Sequence, residues 1–428
     1  MRIIALTILL SICTINCFSQ LTVKREFQEN IRRAGGNCQV YPGPQQHDYT
    51  PAPKGKKPFY ISHYGRHGSS YLIHKRYYDF PFTILLQAKR DGKLSPLGER
   101  TFENVSTLAQ ESRRRQGEMT SLGVRQQQEI IQRMYSRFPE IFSGNAHVDA
   151  KSTPVGRCIL SMEYALLELI KKNPQLQITH DASEHDMYYM NLRDTSLYLH
   201  KMNNETKKVY KEFYNKYMSH TRPMLTLFND SAYARKLDLK TLNEDIFELS
   251  MTAQNTEKGK NLKLYDIYTE DEIYRFWIVD NAWWYLNYGF SPYNGGKQPF
   301  SQRNLLRTII EQADSCITLE RPGVALRYGH DTMILPLVCL MDINGFGQVV
   351  EDMDKLEELG WISYKVFPMS ANIQFIFYRE NPKDKDVLVK VLLNENEVTL
   401  PVKSKYAPYY RWKDVRKHYL KKLATYEK

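Results

Sequence analysis

Cysteine is scarce in this sequence, and its spacing fits no common metal site. The 428 residues include six Cys, of which four follow the N-terminal segment: Cys38, Cys158, Cys316 and Cys339. None forms a CxxC pair or the ligand spacing of a zinc finger, which excludes the usual structural zinc modules. One or two disulfides are compatible with this set. Buried thiols at Cys158 and Cys339 are equally compatible, because both lie in apolar stretches.

A long apolar segment is missing beyond the N-terminus, where no run reaches the roughly 20 residues of a membrane-spanning helix. The N-terminus itself has the parts of a secretory signal: Arg2, an apolar stretch over 3–12, and small residues within Cys17–Ser19. We predict a signal peptide over residues 1–19, cleaved before Gln20, and a protein that is periplasmic or secreted. A lipoprotein signal ending at Cys17 is the less favoured alternative, because the residues before it suit lipidation poorly.

Acidic residues are outnumbered, with 48 Asp and Glu against 59 Lys and Arg and a formal net charge of +11. An exported protein this basic is expected to favour anionic partners. The sequence has no zinc finger, RNA-binding motif or basic stripe interleaved with aromatics, which disfavours nucleic acid. Acidic surfaces and anionic, phosphorylated small molecules both stay open as partners at this point, and we expect no obligatory protein partner and no membrane span.

Strand and helix patterns alternate over most of the chain. Strands are predicted at Phe59–Ser62, His147–Ala150, Pro322–Tyr328, Ile373–Tyr378 and Val387–Leu393, and helices at Leu122–Phe138 and Arg157–Lys171. Such alternation indicates an α/β protein with a three-layer α/β/α core and a mostly parallel sheet.

The middle of the chain differs in character from the two ends. From about residue 181 to 309 it is rich in Tyr, Lys, Asn and Glu at helical spacing, with few β-branched runs. We predict a mainly helical cap over 181–309, inserted into an α/β core formed by 20–180 and 310–428.

Two distant segments share one build, a strand followed by a glycine turn that carries a histidine. They are Arg66-His67-Gly68 and Gly329-His330-Asp331. Loops at the carboxyl ends of parallel strands open onto one crevice. Phosphoryl transfer needs a nucleophile, positive groups around the phosphate oxygens and an acid for the leaving oxygen, and these segments contain each.

The order of motifs along the chain carries a family resemblance. Arg66-His67-Gly68 is followed by Met119-Thr120-Ser121-Leu122-Gly123, then by Arg157 and Ser161 at a helix start, then by His330-Asp331-Thr332. This set resembles the histidine phosphatase superfamily in its acid phosphatase and phytase branch, and looks most similar to the multiple inositol polyphosphate phosphatases.

The resemblance implies a role for each matching residue. His67 would attack phosphorus to give a phosphohistidine, Arg66, Arg157 and His330 would bind the phosphate, and Asp331 would protonate the leaving group. It implies no metal and no organic cofactor. Inositol polyphosphates become the favoured substrates, while sugar phosphates and other organic phosphates stay open.

Two positions depart from the family pattern. Ser70 stands where the Arg-His-Gly-x-Arg motif has a phosphate-binding arginine, so Ser70, Lys75 and Arg76 are the candidate substrate contacts, the last two as replacements for the lost donor. The pair His330-Asp331 has the acid phosphatase form rather than the His-Ala-Glu common in inositol polyphosphate phosphatases. An impaired enzyme or a phosphate-ligand binding protein on the same fold is therefore the alternative.

Several other polar and aromatic residues are open to either a structural or a functional interpretation. His180-Asp181 and His185-Asp186 are expected to be surface residues rather than metal ligands. The run Trp283–Tyr285 fits either a core cluster or a ligand groove, and Asn372 and Gln374 fit either strand-end structure or substrate contacts.

Overall fold

The computed structural model describes residues 23–191, 194–201 and 203–426. The predicted signal peptide, residues 1–19, lies outside them. Within these ranges no helix has both the length and the apolar character that crossing a membrane requires.

One mixed sheet runs through the described part of the chain. Its strands are β1 Lys57–Arg66, β2 His147–Ser152, β3 Gln177–Asp181, β4 Gly323–Gly329, β5 Asn372–Arg379, β6 Leu388–Leu393, β7 Asn396–Glu397 and β8 Tyr409–Arg411. Their order is β3-β2-β4-β1-β5-β6-β7, and β8 also pairs with β6. The first four are parallel to one another, whereas β5, β6, β7 and β8 pair antiparallel. The α/β class is confirmed, but the sheet is mixed rather than mostly parallel, because β5 pairs antiparallel with both β1 and β6 and so begins an antiparallel half.

Ten longer helices surround this sheet among the described residues. They are α1 Arg76–Arg90, α2 Pro96–Glu111, α3 Ser121–Arg137, α4 Gly156–Lys172, α5 Asn204–Tyr217, α6 Leu239–Ala253, α7 Glu270–Tyr288, α8 Arg303–Cys316, α9 Asp331–Met341 and α10 Trp412–Leu423. Short helices at Met187–Met190, Thr195–Lys201, Thr221–Leu225 and Ser231–Ala234 and a 3-10 segment at Ile31–Cys38 connect them.

Helices cover both faces of the sheet, which gives the predicted three layers. Successive side chains of a strand point to opposite faces, and in β1 Tyr60 and Tyr64 join a core shared with α7 to α10, whereas Ile61 joins the core under α3 and α4. Burial of both faces explains why the strands at the centre read as apolar runs.

A third apolar cluster lies among helices alone. It draws on α1, α2, α6 and the first half of α7, together with Val23 and Phe27. Helices α1 and α2 come from the segment predicted as α/β core, and α6 and α7 from the predicted cap, so two stretches of chain build this helical part. The boundaries 20–180, 181–309 and 310–428 remain predictions.

Candidate active site

The two histidine loops meet because their strands are neighbours. β1 and β4 are parallel, with Arg66 opposite Gly329 in the register. The N–H of His67 donates to the Gly329 carbonyl at 3.0 Å, and the rings of His67 and His330 lie 5.8 Å apart, centroid to centroid. The structure therefore brings together the two segments that the sequence pairs by their build.

The glycine of each early motif is explained by a close approach of two backbones. A Cβ on Gly68 would lie 2.5 Å from the Gly123 carbonyl oxygen, and a Cβ on Gly123 would lie 2.4 Å from the Ser69 carbonyl oxygen. The Thr120 N–H donates to the same Ser69 oxygen at 2.8 Å, while the Thr120 side chain caps α3 by accepting from the Gly123 N–H. The segment Met119–Gly123 therefore fixes the loop that carries His67.

Helix α4 positions Arg157 through Ser161, one turn along. The Ser161 hydroxyl accepts from the Gly68 N–H at 3.0 Å and donates to the Arg157 carbonyl at 2.7 Å. This ties the first turn of α4 to the loop that carries His67 and places Arg157 at the wall of the same cavity as His67 and His330.

Two guanidinium groups at this site keep donors that no described residue accepts from. Arg66 is 3% exposed, and its terminal nitrogens donate to the carbonyl of Phe367 at 2.8 Å and pair with Asp331 at 2.9 Å. The Nε atoms of Arg66 and Arg157 are buried without a partner among the described residues. Arginine N–H groups match phosphate oxygens in geometry and charge, so these donors suit a phosphoryl group.

His67 has the protonation state of a nucleophile. Its Nδ1 lies 2.8 Å from the Gly68 carbonyl oxygen, which can only accept, so Nδ1 carries the proton and Nε2 keeps its lone pair. Burial, followed by the positive charges of Arg66 and Arg157 and by His330, lowers the pKa of His67 well below its usual value. The ring is therefore neutral over the physiological pH range.

Asp331 begins α9 and is held as a carboxylate. Burial alone would raise its pKa, but Arg66, the Asn37 amide at 3.0 Å and His330 outweigh that effect and bring the pKa below the usual 3.8. The Thr332 N–H also donates to this carboxylate at 2.8 Å. Asp331 therefore lies beside Arg66 at the wall of the cavity.

Three partners in the site were missed by the sequence reasoning. Asn37 contacts Asp331 from the irregular lead-in to the fold, where no local pattern distinguishes it. Thr153 lies 3.2 Å from Nε2 of His330, and Cys158 lies 3.8 Å from the same nitrogen. Cys158 directly follows Arg157 in the sequence, so its position next to a motif residue could have identified it as a site residue.

The three candidate substrate contacts have different positions. Ser70 is 6% exposed and lines the cavity. Arg76 also lines it, but its guanidinium pairs with Asp245 at 3.0 Å. Lys75 pairs with Asp79 at 2.9 Å and is not among the described residues around the cavity.

The remaining sequence candidates fall into two groups: tryptophans at the cavity, and polar residues whose partners lie elsewhere in the structure. Trp283 and Trp284 both line the cavity. Asn372 is buried and its amide donates to Tyr41 and to the Ser370 carbonyl, and His180 pairs with Glu163 at 2.8 Å at the surface. Among described residues, no group of three or more His, Cys, Asp or Glu side chains is arranged to hold a metal. Cys38, Cys158, Cys316 and Cys339 are all free thiols.

Comparison with known proteins places the chain in a family. The model of the histidine phosphatase superfamily (branch 2) matches residues 74–394, a range that begins after His67. No curated protein sequence matches.

Solved structures show the same fold at low identity. The Bifidobacterium longum multiple inositol polyphosphate phosphatase in complex with phosphate is 16% identical with a TM-score of 0.76, over 90% of this chain and 97% of that one. The D. castellii phytase is 14% identical with a TM-score of 0.63, over 92% and 85%. The Hafnia alvei phytase in complex with myo-inositol hexakis sulphate is 13% identical with a TM-score of 0.53, over 87% and 98%. The chain belongs to the histidine phosphatase superfamily, branch 2, and is a hydrolase of the histidine acid phosphatase type.

Proposed function

We propose that the protein is an exported phosphomonoester hydrolase that works through a phosphohistidine at His67. The observation that carries the proposal is the neutral His67 ring, which lines one cavity together with Arg66, Arg157 and His330. Export rests on the predicted signal peptide.

The reaction has two displacements at phosphorus. The Nε2 of His67 attacks, the N–P bond forms as the P–O bond of the ester breaks, and the leaving oxygen takes a proton from Asp331. Water then attacks the phosphohistidine and gives a proton to the Asp331 carboxylate, and the N–P bond breaks; this releases inorganic phosphate and restores both the His67 lone pair and the protonated acid. Arg66, Arg157 and His330 hold the phosphoryl oxygens, where charge is concentrated throughout.

Proton donation by Asp331 requires that its pKa rise when the substrate binds. Arg66 is what holds that pKa low, and a phosphate that binds Arg66 weakens this pull while adding negative charge of its own. Both changes favour the protonated acid. Arg66 would thus serve substrate binding and the protonation of Asp331 together.

Inositol polyphosphates are the first substrates to test, because the sequence resemblance points to them and two neighbours are a multiple inositol polyphosphate phosphatase and a phytase crystallised with an inositol hexakis sulphate. The alternative, a binding protein or impaired phosphatase, is motivated by Ser70. Arg76 compensates poorly for the lost arginine, because its guanidinium is already paired with Asp245.

The test compares wild type, His67→Ala and, as a matched control, His47→Ala, since His47 is an exposed histidine outside the cavity. Phosphate release is measured from an aryl phosphate and from inositol hexakisphosphate at pH 4 to 7.5, and rapid acid-free quenching with labelled substrate detects the phosphoenzyme. We expect release and labelling in wild type and His47→Ala and neither in His67→Ala. Folded wild-type protein that binds phosphate without any turnover would support the binding-protein alternative.

A further inference from the structure

The cavity that contains His67 has two walls of opposite charge. Its volume is about 560 Å³, and the described residues around it include three arginines and five carboxylic acids. Arg66 and Arg157 lie at the phosphate end with Asp331. The other four acids form a separate group, which we call the acidic wall: Glu244, Asp245, Glu248 and Asp280.

The acidic wall is built by two helices that pack against each other beside the cavity, where the rings of Phe247 and Phe276 stack with centroids 3.7 Å apart. Glu244, Asp245 and Glu248 lie within one turn of α6, and residues four apart share a helix face. Asp280 lies on α7 and interacts electrostatically with both Glu248 and Asp331. The acidic wall therefore reaches from α6 to the immediate neighbourhood of the reacting phosphate.

One carboxylate oxygen of this wall is buried without a partner. The Asp245 side chain is 0% exposed, and its Oδ1 pairs with Arg76 at 3.0 Å. Its Oδ2 has no hydrogen-bond partner among the described residues. A buried carboxylate oxygen without a partner is costly, and burial raises the pKa of Asp245 to about 6.

The wall has too few cations of its own to neutralise it. Among the described residues that line the cavity away from the phosphate end, the basic side chains are Arg76 and His74. Burial, together with the neighbouring carboxylates, raises the pKa of Glu248 to about 8 and that of Asp280 to about 7. Lys201 interacts electrostatically with Asp331, and burial lowers the pKa of Lys201 to about 8.

Aromatic rings complete this part of the cavity. Tyr210 and Tyr214 of α5 and Trp283 of α7 line it beside the acids, and the Tyr214 hydroxyl donates to Glu244. Carboxylates combined with aromatic faces attract ammonium groups, by charge and by cation–π interaction. The same surface repels a second phosphate, since each phosphate monoester carries about −1.5 to −2 charges at pH 7.

We propose that the acidic wall selects phosphate monoesters whose alcohol carries a protonated amine or a quaternary ammonium group. The inference rests on the proposed phosphomonoesterase activity and favours a substrate class other than the inositol polyphosphates. The phosphate binds Arg66 and Arg157, and the ammonium group contacts the acidic wall. The chemistry is unchanged: the bond from His67 Nε2 to phosphorus forms, the ester P–O bond breaks, Asp331 protonates the released amino alcohol at oxygen, and water hydrolyses the phosphohistidine.

The experiment measures kcat/KM for four substrates at pH 8.5, above the raised pKa values of Glu248 and Asp280: O-phosphoethanolamine, phosphocholine, glycerol phosphate and inositol hexakisphosphate. Wild type is compared with Glu248→Gln and Asp280→Asn, each of which replaces one ionisable carboxyl with an amide of similar shape. Glu212→Gln is the matched control, because Glu212 is exposed on α5 and lies outside the cavity. Circular dichroism and thermal melting confirm that each variant is folded.

We expect wild type to prefer both cationic substrates over glycerol phosphate and inositol hexakisphosphate. Each wall variant should lower the ratio of kcat/KM for the cationic substrates to kcat/KM for glycerol phosphate about tenfold, the effect of one charge pair in a partly buried setting. Glu212→Gln should behave as wild type.

Two results would overturn the inference: inositol hexakisphosphate as the best substrate, or wall variants that change all four substrates equally. Failure of the proposed function gives a different result, namely no release from any substrate or from an aryl phosphate, with wild type and His67→Ala indistinguishable.

Discussion

Replacing Gly123 by alanine tests whether the backbone contact beneath His67 controls both stability and activity. Gly123 lies two helical residues into α3 and touches no substrate-facing atom of the cavity. Its new Cβ would lie 2.4 Å from the Ser69 carbonyl oxygen and 2.7 Å from the Ser69 nitrogen, whereas ordinary contacts begin near 3.4 Å. Because the neighbour is backbone, the strain cannot be relieved by turning a side chain.

The size of the effect follows from this overlap. Separating the two backbones by about 1 Å is overpacking of a tight interior, which costs about 1–3 kcal/mol of unfolding free energy. Ser69 is two residues from His67, so the nucleophile moves with it, and a misplacement of about 1 Å lowers kcat about 100-fold. We therefore expect Gly123→Ala to lose about 2 kcal/mol in urea unfolding and about 100-fold in kcat.

Gly156→Ala provides the matched control for this substitution. Gly156 begins α4 beside Arg157, and a Cβ there meets no atom within 4 Å. It should keep wild-type stability within about 0.5 kcal/mol and wild-type kcat. A Gly123→Ala protein as stable and as active as Gly156→Ala would refute the argument that the Met119–Gly123 motif exists to seat the His67 loop.

Three further substitutions have distinct expected outcomes. Asp331→Asn should lower kcat for an alkyl phosphate about 10²–10⁴-fold and for an aryl phosphate much less, because an aryloxide leaves without a proton; equal losses would exclude Asp331 as the acid. Ser70→Arg should tighten binding of inorganic phosphate about tenfold, measured by calorimetry, if the site accepts a further guanidinium; unchanged or weaker binding in folded protein would contradict this. Glu248→Gln should raise the free energy of unfolding by about 4 kcal/mol more at pH 8 than at pH 4.5; a gain independent of pH would show that the carboxyl charge is not its cause.

The free energy of unfolding gained by Glu248→Gln depends on pH because the folded protein raises the pKa of Glu248. In the folded protein that pKa is about 8, against the usual 4.5. Between these pH values the folded state holds a proton that the unfolded state has released, so the free energy of unfolding falls as pH rises through that window. Glutamine does not titrate, and its advantage over glutamate therefore grows from pH 4.5 to pH 8.

Local sequence patterns predicted the elements that position the phosphate site. The apolar run before Gly65 and the run Pro322–Tyr328 became β1 and β4, and parallel pairing of these two strands is what joins His67 to His330. The helix predicted over Leu122–Phe138 became α3, which Thr120 caps. These features follow from side-chain periodicity and from glycine at close approaches, both of which are readable locally.

Contacts that depend on tertiary placement were not predictable in the same way. Asn37 reaches Asp331 across 294 positions of chain, and the antiparallel half of the sheet depends on β5 pairing with β1. The acidic wall was missed because Glu244, Asp245 and Glu248 look like an ordinary polar helix face in sequence. Only the packing of α6 and α7 around the cavity shows that these acids face Asp280 and the active site.

The acidic wall is informative because stability alone gives no reason to keep it. Glu248 and Asp280 have pKa values raised by burial and mutual repulsion, and Asp245 Oδ2 is buried without a partner among described residues. Strain of this kind persists where function requires it. A zwitterionic phosphate ester supplies both missing charges: an anion for Arg66 and Arg157, and a cation for the acidic wall. A polyanion also pairs with the arginines, but it increases the electrostatic repulsion at the acidic wall. The opposite charges of the two walls therefore favour an amino alcohol phosphate over a polyphosphate.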